Sequence, residues 1–319
     1  MKCSDLGEFE LIARLARTLP HDPSVVGGVG DDCAVLRSRD PSRYLLFKTD
    51  PVIEGTHFVF RCSKKTKVPP ATPFQVGWKA MARNLSDIAA MGGVPRWALV
   101  SLGLPAQTDV KAVDGIYRGL NACASQFGAL IVGGDTSQTS DKLFVVVSLV
   151  GEVEKNFLKL RSAARAGQRV FVTGALGGSR RHKHLTFTPR VEEARWLAKN
   201  FPVAAMIDVS DGLAGDLRRL SEKSRVGFDI LADAVPVSAA AEKMSRTDRR
   251  SPLGHALRDG EDFELLFTMD ANYADDLLRR WHRKFALPLA SIGVVTKFPD
   301  RIRFIGAPTS EVTGYEHFR

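Results

Sequence analysis

The sequence of 319 residues has no long apolar run. Its longest strand-like stretch is LFVVVSLV at 143–150, well short of the roughly 18–20 residues a membrane helix needs. A membrane partner is therefore not expected. Cysteine is sparse: Cys3, Cys33, Cys62 and Cys123 are far apart and form no CxxC pair. That fits reduced, cytoplasmic thiols better than a disulfide frame or a zinc site. The first ten residues, MKCSDLGEFE, turn acidic early and lack the apolar region of a signal peptide, so a cytoplasmic location is expected. Several chemistries are absent as well. There is no G-x-x-x-x-G-K-[ST] loop, no protein-kinase set of Gly-rich loop, HRD and DFG, no GxSxG and no Cys/His pairing. If ATP binds, it must do so mainly through metal ions and through Arg or backbone donors.

What is present is an ordinary apolar fraction of 44% and a formal net charge of +9. That charge admits two readings: nucleic-acid binding, or an anionic small-molecule substrate with a solvated basic surface. The basic residues fall in scattered clusters, at Arg180 to Lys183, Arg218 with Arg219, Arg246 to Arg250 and Arg279 to Lys284. No aromatic-interleaved platform or DNA-binding motif accompanies them, so no nucleic-acid partner is expected. Ordinary solvated helix faces account for most of the clusters.

Against this basic background stand six aspartates in five short motifs: Asp32 in GVGDDCAVL, Asp50 in KTD, Asp87 in NLSD, Asp135 in GGDTS, and Asp208 with Asp211 in MIDVSDG. Grouped carboxylates repel one another unless a cation lies between them, and oxygen ligands of this kind suit Mg²⁺. Taken singly, each motif also reads as a turn, and Asp211-Gly212 also reads as an N-cap of the helix that follows. The glycines before Asp32 and Asp135 would let the backbone turn sharply and approach a ligand closely.

Periodicity predicts helices over 7–19 (Phe9, Ile12, Ala16, Leu19), 73–91 (Phe74, Trp78, Met81, Leu85, Ile88) and 109–127. Further helices are expected near 190–200, 211–224 and 272–285. Strands are expected at 44–50, 97–105, 129–135, 143–153, 169–174, 204–210, 264–269 and 290–295. Asp50 and Asp135 close strands, Asp208 lies near the end of another, and Asn84 and Asp87 share one helix flank. Mixed strands and helices in both halves predict an α/β or α+β protein of two comparable domains, 1–150 and 151–319.

The motifs together closely resemble the thiamine-monophosphate kinase family, part of the wider group that includes aminoimidazole ribonucleotide synthetase. The resemblance rests on GVGDDCAVL, TDPVIEGTHF (49–58), GWKAMARNLSDIAAMGGVPRWALVSLGLP (77–105), VGGDTS (132–137), MIDVSDGLAGDL (206–217) and GEDFELLFT (260–268), and runs on to GYEHF at 314–318. It implies a two-domain fold of the aminoimidazole ribonucleotide synthetase type, each domain a mixed sheet with packed helices. The N-terminal domain would bind ATP and Mg²⁺ and dimerise; the C-terminal domain would close over the site. The implied activity is direct phosphoryl transfer from ATP to thiamine monophosphate, giving thiamine diphosphate, with several Mg²⁺ ions and no assigned general acid or base. The metal ligands it implies are Asp32, Thr49, Asp50, Asp87, Asp135, Asp208 and Asp211. Tyr117, Gly134 with Asp135, Arg161 and Ser210 would contact the nucleotide; His57, Glu261 and Tyr315 would contact the substrate. A homodimer is implied.

The chain departs from the family pattern in places. Gly178 stands where an Asp is usual, the segment 176–191 is short, and Asp259 replaces a Gly. Lys48 replaces Ser or Thr, so that position could reach a metal only through its backbone carbonyl. The shortened segment predicts the loss of a helix from the second domain. Two alternatives are another ATP-using enzyme of the same superfamily and a binder of thiamine phosphates or nucleotides without turnover.

Overall fold

The computed structural model describes residues 2–61, 69–299 and 301–307. Tyr315, Cys62 and the GYEHF motif lie outside this set, as does the side chain of Phe9. The first half runs through α1 (Cys3–Leu6), α2 (Glu8–Ala16), β1 (Val25–Gly27), β2 (Ala34–Arg37), β3 (Arg43–Ile53), α3 (Pro73–Ala90), β4 (Val94–Pro105), α4 (Val110–Gln126), β5 (Leu130–Thr139) and β6 (Phe144–Glu154). Its six strands form one sheet in the order β1-β2-β3-β6-β4-β5. All pairs are antiparallel except β4 with β5, which α4 connects; a parallel pair needs such a crossover.

The second half continues with β7 (Arg169–Thr173), α5 (Lys183–Thr186), α6 (Val191–Asn200), β8 (Val203–Asp208), α7 (Leu213–Ser224), β9 (Gly227–Leu231), α8 (Ala239–Ser245), α9 (Pro252–Arg258), β10 (Leu265–Met269), α10 (Ala274–Lys284), β11 (Leu289–Thr296) and β12 (Ile302–Ile305). Its sheet has the order β12-β9-β11-β7-β10-β8, with only β12 and β9 parallel among these pairs. The two sheets are the two domains of a mixed α/β fold.

Helix α3 is the axis of the molecule. Thr72 and Gln75 form a capping box, and Pro73 opens the first turn, which satisfies orphan N–H groups and presets the backbone. Its apolar residues Met81, Leu85 and Ile88 are fully buried, each worth about 1.5–3 kcal/mol of burial. The helix is buried nearly all round because it packs on the first sheet, on α4, and on α5, α6 and β8 of the second domain. A helix in that position can carry polar groups inward only if they have partners. Lys79, Asn84, Ser86 and Asp87 are buried in this way. The first helix of the sequence ends earlier than its periodicity suggests. Helix α2 stops at Ala16, and Thr18 bonds back only three residues, to Leu15.

Strand alternation decides which side chains meet α3. On β3, Leu46, Lys48, Asp50 and Val52 face inward, while Phe47 and Thr49 are exposed on the outer face. Among the described residues no helix packs on that outer face.

Candidate active site

The acidic motifs converge at the seam between the two domains. Asp32 comes from the loop before β2, Asp87 from α3 and Asp208 from the end of β8. One oxygen of each lies within 4.8 Å of the others, and all three residues are buried. Ser86 Oγ crosses the seam to donate to Asp208 Oδ2 at 2.6 Å. The other oxygen, Asp208 Oδ1, is buried without a hydrogen-bond partner. Burial, with Asp32 adding repulsion, raises the Asp208 carboxyl to about 6. Burial drives Asp87 well above the usual carboxylate range; Lys48 opposes that rise, while Asp208 and Asp50 reinforce it. Three crowded carboxylates with an orphaned buried oxygen are a donor set that fits a hard divalent cation.

Cations surround this group. Arg161 sits on a single 3-10 turn in the connection between the sheets. Its Nη2 donates to Asp32 Oδ1 at 2.5 Å, and its backbone N–H donates to Asp31 Oδ1 at 2.7 Å. Arg83 Nη2 is 3.5 Å from Asp50 Oδ2. Lys48 Nζ lies 3.3 Å from Asp50 Oδ1 and 3.2 Å from Asp87 Oδ2. Those two carboxylates outweigh burial and hold Lys48 protonated. The family pattern allows position 48 a backbone contact at most; the side chain instead enters the acidic group, because β3 points it to the same face as Asp50.

Asp211 is not an N-cap: the cap position of α7 is Gly212, and Asp211 pairs with Arg219. The loop is held by a residue outside the acidic motifs. Buried Asp216 accepts from the backbone N–H groups of Ser210 at 3.0 Å and Asp211 at 3.1 Å. Arg219 and Arg180, read from sequence as solvated cations, both line the cleft. Lys183 pairs instead with buried Glu264.

The far wall is the 259–264 segment. Glu261 and Phe263 both have left-handed backbone, at φ 55° and φ 50°, which for side-chain-bearing residues costs of order 1–3 kcal/mol each. Hydrogen bonds from Glu261 N to Ser210 O (2.7 Å) and from Phe263 N to Val209 O (2.8 Å) hold the strained turn against the Asp208 loop. Glu261 Oε1 accepts from fully buried Lys79 at 2.6 Å, and Lys79 also donates to the His57 carbonyl at 2.7 Å. Burial alone would raise Glu261; Lys79, His184 and Arg83 outweigh it and hold the carboxyl at about 2. Burial brings Lys79 down to about 8, with Glu261 opposing. His57 lines the cleft and its Nδ1 accepts from Ile53 N at 3.1 Å.

The two departures in this region meet in space. Asp259 Oδ2 accepts from Gly178 N at 2.9 Å, and also holds His255. A Cβ on Gly178 would lie 2.7 Å from Ala241 N, with φ at +71°, so this chain has no room for a side chain there. The shortened segment is pinned by buried Glu264, which accepts from Lys183, Arg190 and Thr173 at 2.8–2.9 Å. Phe187 of the same segment stacks on Phe263 at 4.0 Å between centroids.

Of the residues singled out from sequence, Asp50, His57, Asp87, Arg161, Asp208, Ser210, Asp211 and Glu261 line one cleft, with Asp32 buried beneath Arg161. Four others do not line it. Thr49 alternates to the outer face, its hydroxyl 3.0 Å from Ser148 Oγ, so its side chain points away from the metal-type cluster. Asp135 pairs in register with Ser101 on the exposed edge strand β5. Gly134 has no space for a side chain because the Val100 carbonyl of β4 fills it; its close approach is to a strand rather than to a ligand in this cleft. Tyr117, on α4, packs against the core. Lys79 and Arg83 carried one signal in the sequence: with Asp87 they recur every four residues along α3, which stacks them on one face.

Comparison with known proteins identifies the family. The family described as AIR synthase related protein matches through its N-terminal domain over residues 30–153 and its C-terminal domain over residues 143–304. Thiamine-monophosphate kinase of Bacillus subtilis is 34% identical over 98% of this chain and 100% of that protein. The enzyme of the same name from Rhodopirellula baltica is 39% identical over 82% of this chain and 81% of its own length. Among solved structures, AaThiL complexed with AMPPCP and TMP has a TM-score of 0.83 at 31% identity and covers 99% of both chains. With its two sheets, its seam of carboxylates and these full-length relatives, the chain belongs to the thiamine-monophosphate kinase family within the AIR synthase related proteins.

Proposed function

We propose that this protein transfers the terminal phosphoryl group of ATP directly to the phosphate of thiamine monophosphate, giving thiamine diphosphate and ADP. The observation that carries the reading is the buried Asp32–Asp87–Asp208 group, with its orphaned Asp208 oxygen, inside a ring of guanidinium groups. Names and bound ligands of the full-length relatives supply the substrate pair. The acceptor phosphate is already mostly dianionic near neutral pH, since its second pKa is about 6. It needs no strong base, and none of the residues at the cleft is required to act as one. The difficulty is the approach of two anions. Arg83, Arg161, Arg180 and Arg219 line the cleft where phosphate oxygens could be gripped and aligned. Asp32, Asp87 and Asp208 would hold a divalent ion such as Mg²⁺, with Asp50 and Asp211 beside them. When bound, such an ion neutralises charge on the transferring phosphoryl oxygens. Glu261 and His57, with Phe263 lining the same wall, form the side offered to the thiamine end.

Thr49, Tyr117, Gly134 and Asp135 lie outside this cleft. The outer sheet face that carries Thr49 and Asp135 also exposes Phe47, Trp97, Leu99 and Leu130, at 42–62% of their area. An open apolar face of this kind suits pairing of two copies, and we assign the homodimer, with Thr49 and Asp135, to it. We keep the expected domain boundary near residues 150–151, close to the end of the first sheet at Glu154. No described helix is long and apolar enough to cross a membrane, and the chain is assigned to the cytoplasm.

The test is a product assay. Purified protein with ATP, thiamine monophosphate and Mg²⁺ should form ADP and thiamine diphosphate in equal amounts, and EDTA should stop both. Binding of the two ligands without turnover would refute the kinase reading.

A further inference from the structure

The cleft holds two cation positions that differ in one respect. At the first, oxygens of Asp32, Asp87 and Asp208 approach within 4.8 Å and Asp208 Oδ1 has no partner. At the second, between Asp50 and Asp87, the chain supplies its own cation. Lys48 Nζ is 3.3 Å from Asp50 Oδ1 and 3.2 Å from Asp87 Oδ2. Arg83 approaches the remaining Asp50 oxygen at 3.5 Å. Each oxygen of Asp50 is therefore already matched to a protein cation.

We infer that Lys48 is a built-in counter-ion: its ammonium occupies the place between Asp50 and Asp87 that a divalent ion would otherwise take, so the chain binds one divalent ion fewer than its carboxylates alone would hold. The inference rests on the reading of the cleft as a divalent-ion site, and concerns how many ions it takes and where.

An ion such as Mg²⁺ binds carboxylate oxygens at about 2.0–2.1 Å. One bound to both Asp50 Oδ1 and Asp87 Oδ2 would lie in contact with an ammonium that is itself a little over 3 Å from the same two oxygens. Two like-signed cations that close repel strongly in a partly buried site. Lysine also carries a compact point charge on a flexible stem, so it can centre itself between two oxygens as a small ion does. Because it is covalently attached, it is never diluted away. Strand alternation fixes the arrangement, since Lys48 and Asp50 are two apart on β3 and share its inner face. Lys48 is thus a positioning residue: it holds Asp50 and one oxygen of Asp87 in place and leaves the Asp32–Asp87–Asp208 corner to the mobile ion.

The test counts ions directly, without turnover. Mn²⁺ is titrated into nucleotide-free wild type, Lys48→Met and Lys48→Arg, and free Mn²⁺ is read by electron paramagnetic resonance. Lys48→Met should bind one more Mn²⁺ per chain than wild type, and Lys48→Arg should match wild type. In EDTA, Lys48→Met should melt about 3 °C or more below wild type, a fall that Mg²⁺ reverses. If Lys48→Met is too unstable to purify, Asp50→Asn decides: it should leave the Mn²⁺ count at the wild-type value. An unchanged count in Lys48→Met, or a lost Mn²⁺ in Asp50→Asn, would overturn the inference. A failure of the product assay would remove the kinase reading and leave this ion count standing.

Discussion

Replacing Lys79 by Met removes a buried charge that faces two acceptors at once. The ammonium is fully buried on α3, 2.6 Å from Glu261 Oε1 and 2.7 Å from the His57 carbonyl oxygen. Met fills nearly the same volume, so the packing loss is small and the electrostatic loss dominates. Glu261, held at about 2 chiefly by Lys79 against burial, would be left as a buried charge with one main partner gone. Breaking a buried pair from one side costs about 3–5 kcal/mol. The double variant Lys79→Met with Glu261→Gln should recover part of that, because no uncompensated charge remains. The assay is urea unfolding of wild type, both single variants and the double, with stability read from the transition midpoints as a double-mutant cycle. A coupling of about 2 kcal/mol or more between the two sites is expected. The single variant should also lose affinity for the thiamine substrate, because Glu261 and His57 both line the cleft. A cost below about 1 kcal/mol for Lys79→Met, or strict additivity in the cycle, would refute the claim that this pair braces the substrate wall.

Other expectations follow from the same geometry. Asp87→Asn should reduce turnover by orders of magnitude while leaving the unfolding midpoint near wild type, since it relieves crowding among carboxylates; full activity in a folded variant would refute its role. Glu264→Gln should cost about 3–5 kcal/mol, because Lys183 and Arg190 would lose their shared buried partner; thermal melting checks it. His184 is buried, and desolvation with nearby Lys79 lowers it to about 4, below the ordinary histidine value of about 6.5. A depressed histidine contributes stability that is full above about pH 6.5 and is lost as pH falls toward about pH 4; in His184→Phe that acid-side slope should flatten. Leu99→Glu on the open sheet face should shift the protein to monomer in light scattering if two copies pair there.

The elements that sequence made legible are those with long, regular patterns. The stripe on α3, the helix at 110–126 and the strands that deliver Asp50 and Asp208 all form within a few residues of their expected limits. The short strands β1, β2, β9 and β12 have three to five residues each; unlike the equally short but continuously apolar and buried β10, they are half-buried or mixed, and pairing with neighbours defines them. The aspartates stood out because acidic residues beside turn-formers are conspicuous in a basic chain. Their partners did not. Arg219 and Arg180 look from sequence like any exposed basic residue, and only the fold turns them into the cleft. Thr49 and Lys48 show the limit most plainly: adjacent in sequence, they point to opposite faces of β3, and the pleat decides which one reaches the carboxylates.

The account stands most directly on the Asp208 carboxylate, whose inner oxygen has no protein partner. Mn²⁺ binding by the Asp208→Asn variant, followed by electron paramagnetic resonance without nucleotide, tests it. The account predicts a folded, metal-free protein at least as stable as wild type that binds Mn²⁺ at least tenfold more weakly at that corner, roughly 1.4 kcal/mol. Binding at wild-type strength would contradict it.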